Sequence, residues 1–210
     1  MEINRHGPYW MNDNGTLKTV LQRIDDANAA DPRREEYAGE SWPKEQLYGR
    51  RMHEWVLRLA PDASEVLQIA ARGQHLRRWE IPRSDYPMDR AGYHQWRTTL
   101  YAFHGDRVGE IMAEAGYGPE PIERVKFILQ KKKLKTDPEV QTLEDAAALV
   151  FLENHFVEFW DRADIDEAKM IGILRKTWAK MSERAHAAAL ELDYTPEAEV
   201  LIRRALGAGE

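Results

Sequence analysis

The sequence predicts an all-α fold, and three observations predict it. Apolar residues recur at helical spacing through most of the chain, proline and glycine mark the breaks between the periodic runs, and β-branched residues nowhere alternate with polar ones over a sustained stretch. The expectation is a single helical domain of about eight helices over residues 15–210, preceded by a mobile arm, residues 1–14, that lacks periodicity. At 210 residues the chain is long enough to bury one sizeable core.

The elements follow in order. Leu17, Val20, Leu21, Ile24 and Ala27 form the apolar stripe of a first helix, which Asp31-Pro32 ends. A polar connection, PRREEYAGESWP, leads to Pro43 as the opening residue of a second helix carrying Leu47, Met52, Val56, Leu57 and Leu59, and Pro61 stops it. Asp62 and Ser64 supply capping oxygens for a third helix, with Val66, Leu67, Ile69 and Ala70 inward, running to about Trp79 before Ile81-Pro82. A long helix spans about Asp89 to Ala115 and is ended by Gly116 and Gly118. Pro119 and Pro121 open the next, whose stripe of Ile122, Val125, Ile128 and Leu129 runs into the basic stretch QKKKLK, residues 130–135. Lysines there complement the negative end of the helix dipole. Asp137-Pro138 starts the strongly apolar EVQTLEDAAALVFLENHFVEFW, a core helix, and C-terminal helices follow over 165–206, from Asp166 to about Met181, Glu183 to Leu192 and Pro196 to Leu206.

Composition narrows the chemistry. The chain has no cysteine, which excludes disulfides, thiolate catalysis and Cys-ligated zinc and suggests the cytoplasm. The N-terminal residues carry no signal-peptide pattern and no run is apolar enough to span a membrane, so no membrane partner is expected. A net charge of -6 and a pI near 5.7 disfavour broad nucleic-acid binding but leave room for a local phosphate site.

That site is expected in Ala70 to Arg97, where six arginines (Arg72, Arg77, Arg78, Arg83, Arg90, Arg97) face only Glu80, Asp85 and Asp89, a local charge of +3. Arg78, Arg83 and Arg97 flank a proline-containing turn at helix ends and are the arginines expected to hold an anion, with Gln74 beside them. Trp79 and Trp96 are expected to pack that turn, with stacking on a nucleobase as the alternative role. Asp145 lies among Ala146, Ala147, Ala148 and Leu149, where a carboxylate needs an arginine or lysine, a hydrogen-bond donor such as Gln74 or His75, or a metal. His94, His104, His155 and His186 read as surface or half-buried histidines.

A histidine on one helix, a polar pair ending the next, then GYGPEPIERVKFILQKKKLK and DPEVQTLEDAAALVFLE, resembles the order of elements in HD-type metal-dependent phosphohydrolases. The likeness covers roughly residues 47–153. It implies an HD-like core with a C-terminal helical extension, and a divalent metal (Mn, Fe, Ni or Zn) held by His53, His75 and Asp145, with Glu80 as a fourth ligand. His75 and Asp145 would be the catalytic pair, and Lys132 would join Arg78, Arg83 and Arg97 on the phosphate. The chain departs from that pattern where Gln74-His75 replaces the His-Asp dyad and Lys132 stands where a second-metal histidine is common. The stretches AARGQHLRRWEIPRSDYP, GYHQWR, LEDAAALVFLE and ILRKTWAKMS also resemble an uncharacterised family of bacteria and fungi, a domain of unknown function of which some members carry the label glutamyl-tRNA synthetase. Lys180-Met181-Ser182 is the only visible basis for that label, and no glycine-rich strand-to-helix turn accompanies it.

Two readings of function follow from these residues. One is a metal-dependent hydrolase of a phosphorylated small molecule or nucleotide. The other is a non-catalytic HD-like binding protein whose basic cluster, Arg72 to Arg97, holds a nucleotide, an RNA end or an acidic partner.

Overall fold

The structure, a computed structural model, describes residues 14–156, 160 and 166–206. The arm expected at the N-terminus falls, Asn14 apart, outside the described residues. The described chain is mostly helical, as the sequence predicts. Nine α-helices are present among the described residues: α1 (Asn14–Asn28), α2 (Lys44–Leu59), α3 (Glu65–Gly73), α4 (Arg90–Glu114), α5 (Pro119–Leu129), α6 (Pro138–Val150), α7 (Glu167–Trp178), α8 (Glu183–Leu190) and α9 (Pro196–Ala205). No helix among the described residues is long and apolar enough to cross a membrane.

The helix starts are written in the sequence. Ser64, Asp89, Asp137, Asp166, Ser182 and Thr195 each accept a backbone N–H of the first turn that would otherwise lack a partner, and Pro119, Pro138 and Pro196 open their helices where no N–H is needed. Each such cap is worth about 1 kcal/mol.

The chain differs from the expectation before the second helix and after the third, and Pro43, expected to open the second helix, instead ends a strand. The polar connection after α1 folds into an antiparallel hairpin, β1 (Arg34–Tyr37) with β2 (Glu40–Pro43), in which Tyr37 faces Glu40. Ala38 and Gly39 both take positive φ, 52° and 80°, as a two-residue hairpin turn demands. Four-residue strands this polar carry no period-two apolar signal. The third helix stops at Gly73 instead of near Trp79, because Arg77 is left-handed at φ 52° and the chain continues in 3₁₀ turns at Arg78–Glu80 and Arg83–Asp85. Asn28 holds that left-handed residue, accepting the Arg77 N–H through its side-chain oxygen at 2.9 Å.

The chain divides into two compact units. The first comprises the described residues up to Arg50 together with Ser64–Gln130, and the second Arg51–Ala63 together with Lys131 onward. In the first, α4 packs on α5 and α3, and α1 packs on α3 and α4. Val20, Ile24, Leu67, Ile69, Leu76, Leu100, Val108, Met112 and Ile128 are buried there. Gly105 and Gly109 let α5 close on α4, since a Cβ at Gly109 would meet Lys126 at 3.0 Å and Ile122 at 3.1 Å. In the second, α6 packs on α8 and α7 on α9, with Val140, Leu143, Leu149, Phe156 and Met170 buried. Beyond Val150, α6 widens into a π turn, Phe151–His155, where Glu153 accepts the Trp55 indole N–H at 2.8 Å. The expected continuation to Trp160 lies partly outside the described residues.

Candidate functional site

The first unit builds its polar cluster on three buried carboxylates. Asp31 ends the α1 connection and accepts the backbone N–H of Glu45 at 3.0 Å, so it serves the first turn of α2 while also binding the Arg33 guanidinium at 3.1 Å. Arg33 in turn reaches Glu45 Oε1 at 2.7 Å. Asp25, on α1, faces Arg50 at 3.0 Å and Arg72 at 3.1 Å. A carboxylate withdrawn from water is tolerated only with such cationic and N–H partners.

Glu45 connects this network to the residues singled out in the sequence. Its Oε2 lies 2.8 Å from His75 Nδ1. An Nδ1–H tautomer donates to the carboxylate and leaves Nε2 to accept from Arg78 Nη1, 2.8 Å away. Burial by itself would raise the Glu45 carboxyl, but the His75 ring, then Arg78 and Arg33, outweigh it and hold the group down at about 2. Tyr48 stacks on the His75 ring with centroids 3.9 Å apart, and its hydroxyl accepts Gln74 Nε2 at 3.1 Å. Arg78 lies over the Trp96 ring at 5.0 Å, with no carboxylate at ion-pair distance among the described residues.

His104, on α4, closes the cluster from below. It is 2% exposed, its ring centroid is 6.0 Å from that of His75, and its Nδ1–H donates to the Leu76 carbonyl at 2.9 Å. Burial first, then the nearby His75, push its imidazole down to about 3, against the Leu76 hydrogen bond, so the ring is neutral. Its Nε2 and the Gln74 Oε1 are buried acceptors with no hydrogen-bond partner among the described residues. His104 is therefore a core residue, correcting its reading as surface or half-buried. The signal was available: it falls on the stripe Leu100, His104, Val108, Met112, all buried on one face of α4. Glu45 and Tyr48, in the first turns of α2, were missed outright because neither stands out until the fold brings them to His75.

The other sequence candidates have separate partners. Arg83 donates to the Tyr86 and Asp89 carbonyls at 3.0 and 3.2 Å, closing its own turn. Arg97 contacts the Tyr101 hydroxyl and lies 5.7 Å over Tyr93. Glu80 pairs with Arg77, and Arg72 with Asp25. Trp96 is buried and donates its indole N–H to the Ile81 carbonyl at 2.9 Å, the packing role expected of it.

In the second unit, His53 is half-buried on α2 and Lys132 is exposed beyond α5. Asp145 is fully buried, and its donors are the Ser182 backbone N–H at 2.9 Å, the Ser182 hydroxyl at 2.6 Å and Gln141 Nε2 at 2.8 Å. Ser182 also caps α8, so the carboxylate fastens α6 to the start of that helix. Beside it Glu144 is held at about 2: burial raises it, and Lys131 followed by Lys180 outweigh that. His75 thus belongs to the first unit and Asp145 to the second, each with its own set of partners. Among the described residues no group of three or more His, Asp or Glu side chains is arranged to share a metal ion.

No curated protein and no solved structure matches this sequence. The model of one protein family does match, over residues 18–202, and the chain belongs to that family, which is described as a domain of unknown function (DUF4202).

Proposed function

We propose that this chain is a cytoplasmic binding protein for a phosphorylated small molecule or nucleotide, and that Arg78 with His75 receives the phosphate. The observation that carries the reading is the state of Arg78. Its guanidinium is held against Trp96 at 5.0 Å and against His75 Nε2 at 2.8 Å, while the neighbouring Arg72 and Arg77 are each committed to a carboxylate. A fixed guanidinium that feels Glu45 only across His75, with no carboxylate in direct contact among the described residues, offers paired N–H donors in the geometry of a phosphate oxygen pair. Gln74 Oε1 and His104 Nε2, buried acceptors beside it, suit the hydroxyl or amine donors that a nucleotide or sugar phosphate carries.

The metal-dependent hydrolase reading asks His53, His75, Asp145 and Glu80 for lone pairs, and three of the four are engaged with other groups. His75 has Glu45 at one nitrogen and the Arg78 cation at the other, both Asp145 oxygens accept hydrogen bonds, and Glu80 pairs with Arg77. The likeness of residues 47–153 to HD-type proteins is retained as a proposal about the scaffold.

Titration of the full chain with nucleoside mono- and triphosphates, followed by tryptophan fluorescence, tests the reading. Wild type should respond saturably through Trp96. Arg78→Ala should weaken the response about 10- to 100-fold, the loss of a charge-assisted hydrogen-bond pair of about 1.5–3 kcal/mol. A response of equal affinity in Arg78→Ala would overturn it.

A further inference from the structure

The lysine run after α5 is more than a complement to a helix dipole. Lys131, Lys133 and Lys135 take left-handed φ of 53°, 59° and 72°, while Lys132 and Leu134 between them do not. Alternation of hand along successive residues turns their N–H groups toward one concave side, the arrangement called a nest, which binds anions. The N–H groups of Lys131 through Lys135 make no close, well-aligned hydrogen bond to a protein acceptor among the described residues.

Contacts on both flanks hold this backbone in place. The Lys131 ammonium meets Glu144, which Lys180 also approaches at 3.3 Å. The Lys135 ammonium donates to the Ala179 carbonyl at 2.7 Å, and Thr136 and Asp137 both donate backbone N–H to the Lys133 carbonyl at 3.0 Å. Glycine or asparagine would adopt these φ values with less strain, yet lysine stands at all three. The exposed Lys132 and Lys133 have no acidic partner among the described residues.

We propose that the Lys131–Lys135 loop is a second anion site, one that takes the phosphate of a small phosphorylated ligand on its backbone N–H groups while Lys132 and Lys133 supply the charge. It lies within the second unit and does not depend on the Arg78 reading. The test is an amide nitrogen-proton NMR titration of the full chain with inorganic pyrophosphate at constant ionic strength. The amides of residues 131–135 should shift saturably. Lys132→Ala with Lys133→Ala should weaken that response at least about tenfold, the scale of one charge-assisted contact. Lys133→Gly should keep the pattern of shifts, because the backbone concavity remains. Arg78→Ala should leave these amides responding as in wild type, so failure of one site is distinguished from failure of the other. Stationary amides, or shifts reproduced by chloride at the same ionic strength, would overturn the proposal. Binding of single-stranded RNA with no response to pyrophosphate would overturn it as well.

Discussion

At the scale of the residue, the account turns on buried titratable groups whose partners set their charge. Glu45 and Glu144 are each held at about 2, so the stability they contribute is present above the ordinary carboxylate value near 4.5 and is lost as pH falls toward 2. His104 is a base pushed down to about 3, and the unfolded chain takes its proton first, so its contribution is lost as pH falls from about 6.5 toward 3. All three act in one direction, and acid should destabilise the fold from near pH 6.5 downward. Urea midpoints between pH 7 and 4.5 should fall in wild type and fall less steeply in His104→Gln, which cannot ionise. Parallel slopes would mean His104 is not the titrating group. Asp145 gives a second expectation. Asp145→Ala strands the Ser182 hydroxyl and backbone N–H and should cost about 3 kcal/mol or more, whereas Ser182→Ala, which leaves the backbone N–H in place, should cost about 1–2 kcal/mol, both read from chemical denaturation.

At the scale of the element, close approaches decide what sequence propensity alone would misjudge. In an exposed helix interior Gly→Ala stabilises by about 0.5–1 kcal/mol. At Gly49 in α2, a Cβ would stand 2.6 Å from the Arg72 carbonyl oxygen, so Gly49→Ala should destabilise by about 1–3 kcal/mol instead, and calorimetry would show a lowered midpoint. The hairpin gives the opposite case: Ala38 is left-handed with φ 52°, and Ala38→Gly should raise stability by up to about 1 kcal/mol. Helix α4 and the starts of α5 and α6 were legible nearly to the residue, because Asp89, Gly116, Pro119 and Asp137 punctuate them, whereas α5 and α6 end earlier than the sequence suggests. The hairpin and the break at Arg77 were not, since one depends on a two-residue turn joining polar strands and the other on a distant side chain, Asn28.

At the scale of the whole molecule, the candidate site was only half legible because residues from separate stretches of the chain meet within the first unit. Gln74, His75, Arg78 and Trp96 stand within one stretch of sequence and do meet in the first unit. Glu45, Tyr48 and His104 come to them from α2 and α4, and nothing local marks them as partners. Two of the three donors to Asp145 come from Ser182, 37 positions further along the chain, where a helix cap also serves as a carboxylate clamp.

The central claim is that the first unit receives a phosphate at Arg78. The most direct measurement is the NMR response of the Arg78 side-chain N–H and the Trp96 indole N–H of the full chain to a nucleoside triphosphate. The account predicts that both resonances shift together along one saturable curve, and that Lys132→Ala combined with Lys133→Ala leaves that curve in place. Arg78 and Trp96 resonances that stay fixed at millimolar ligand, in a chain that remains folded, would contradict it.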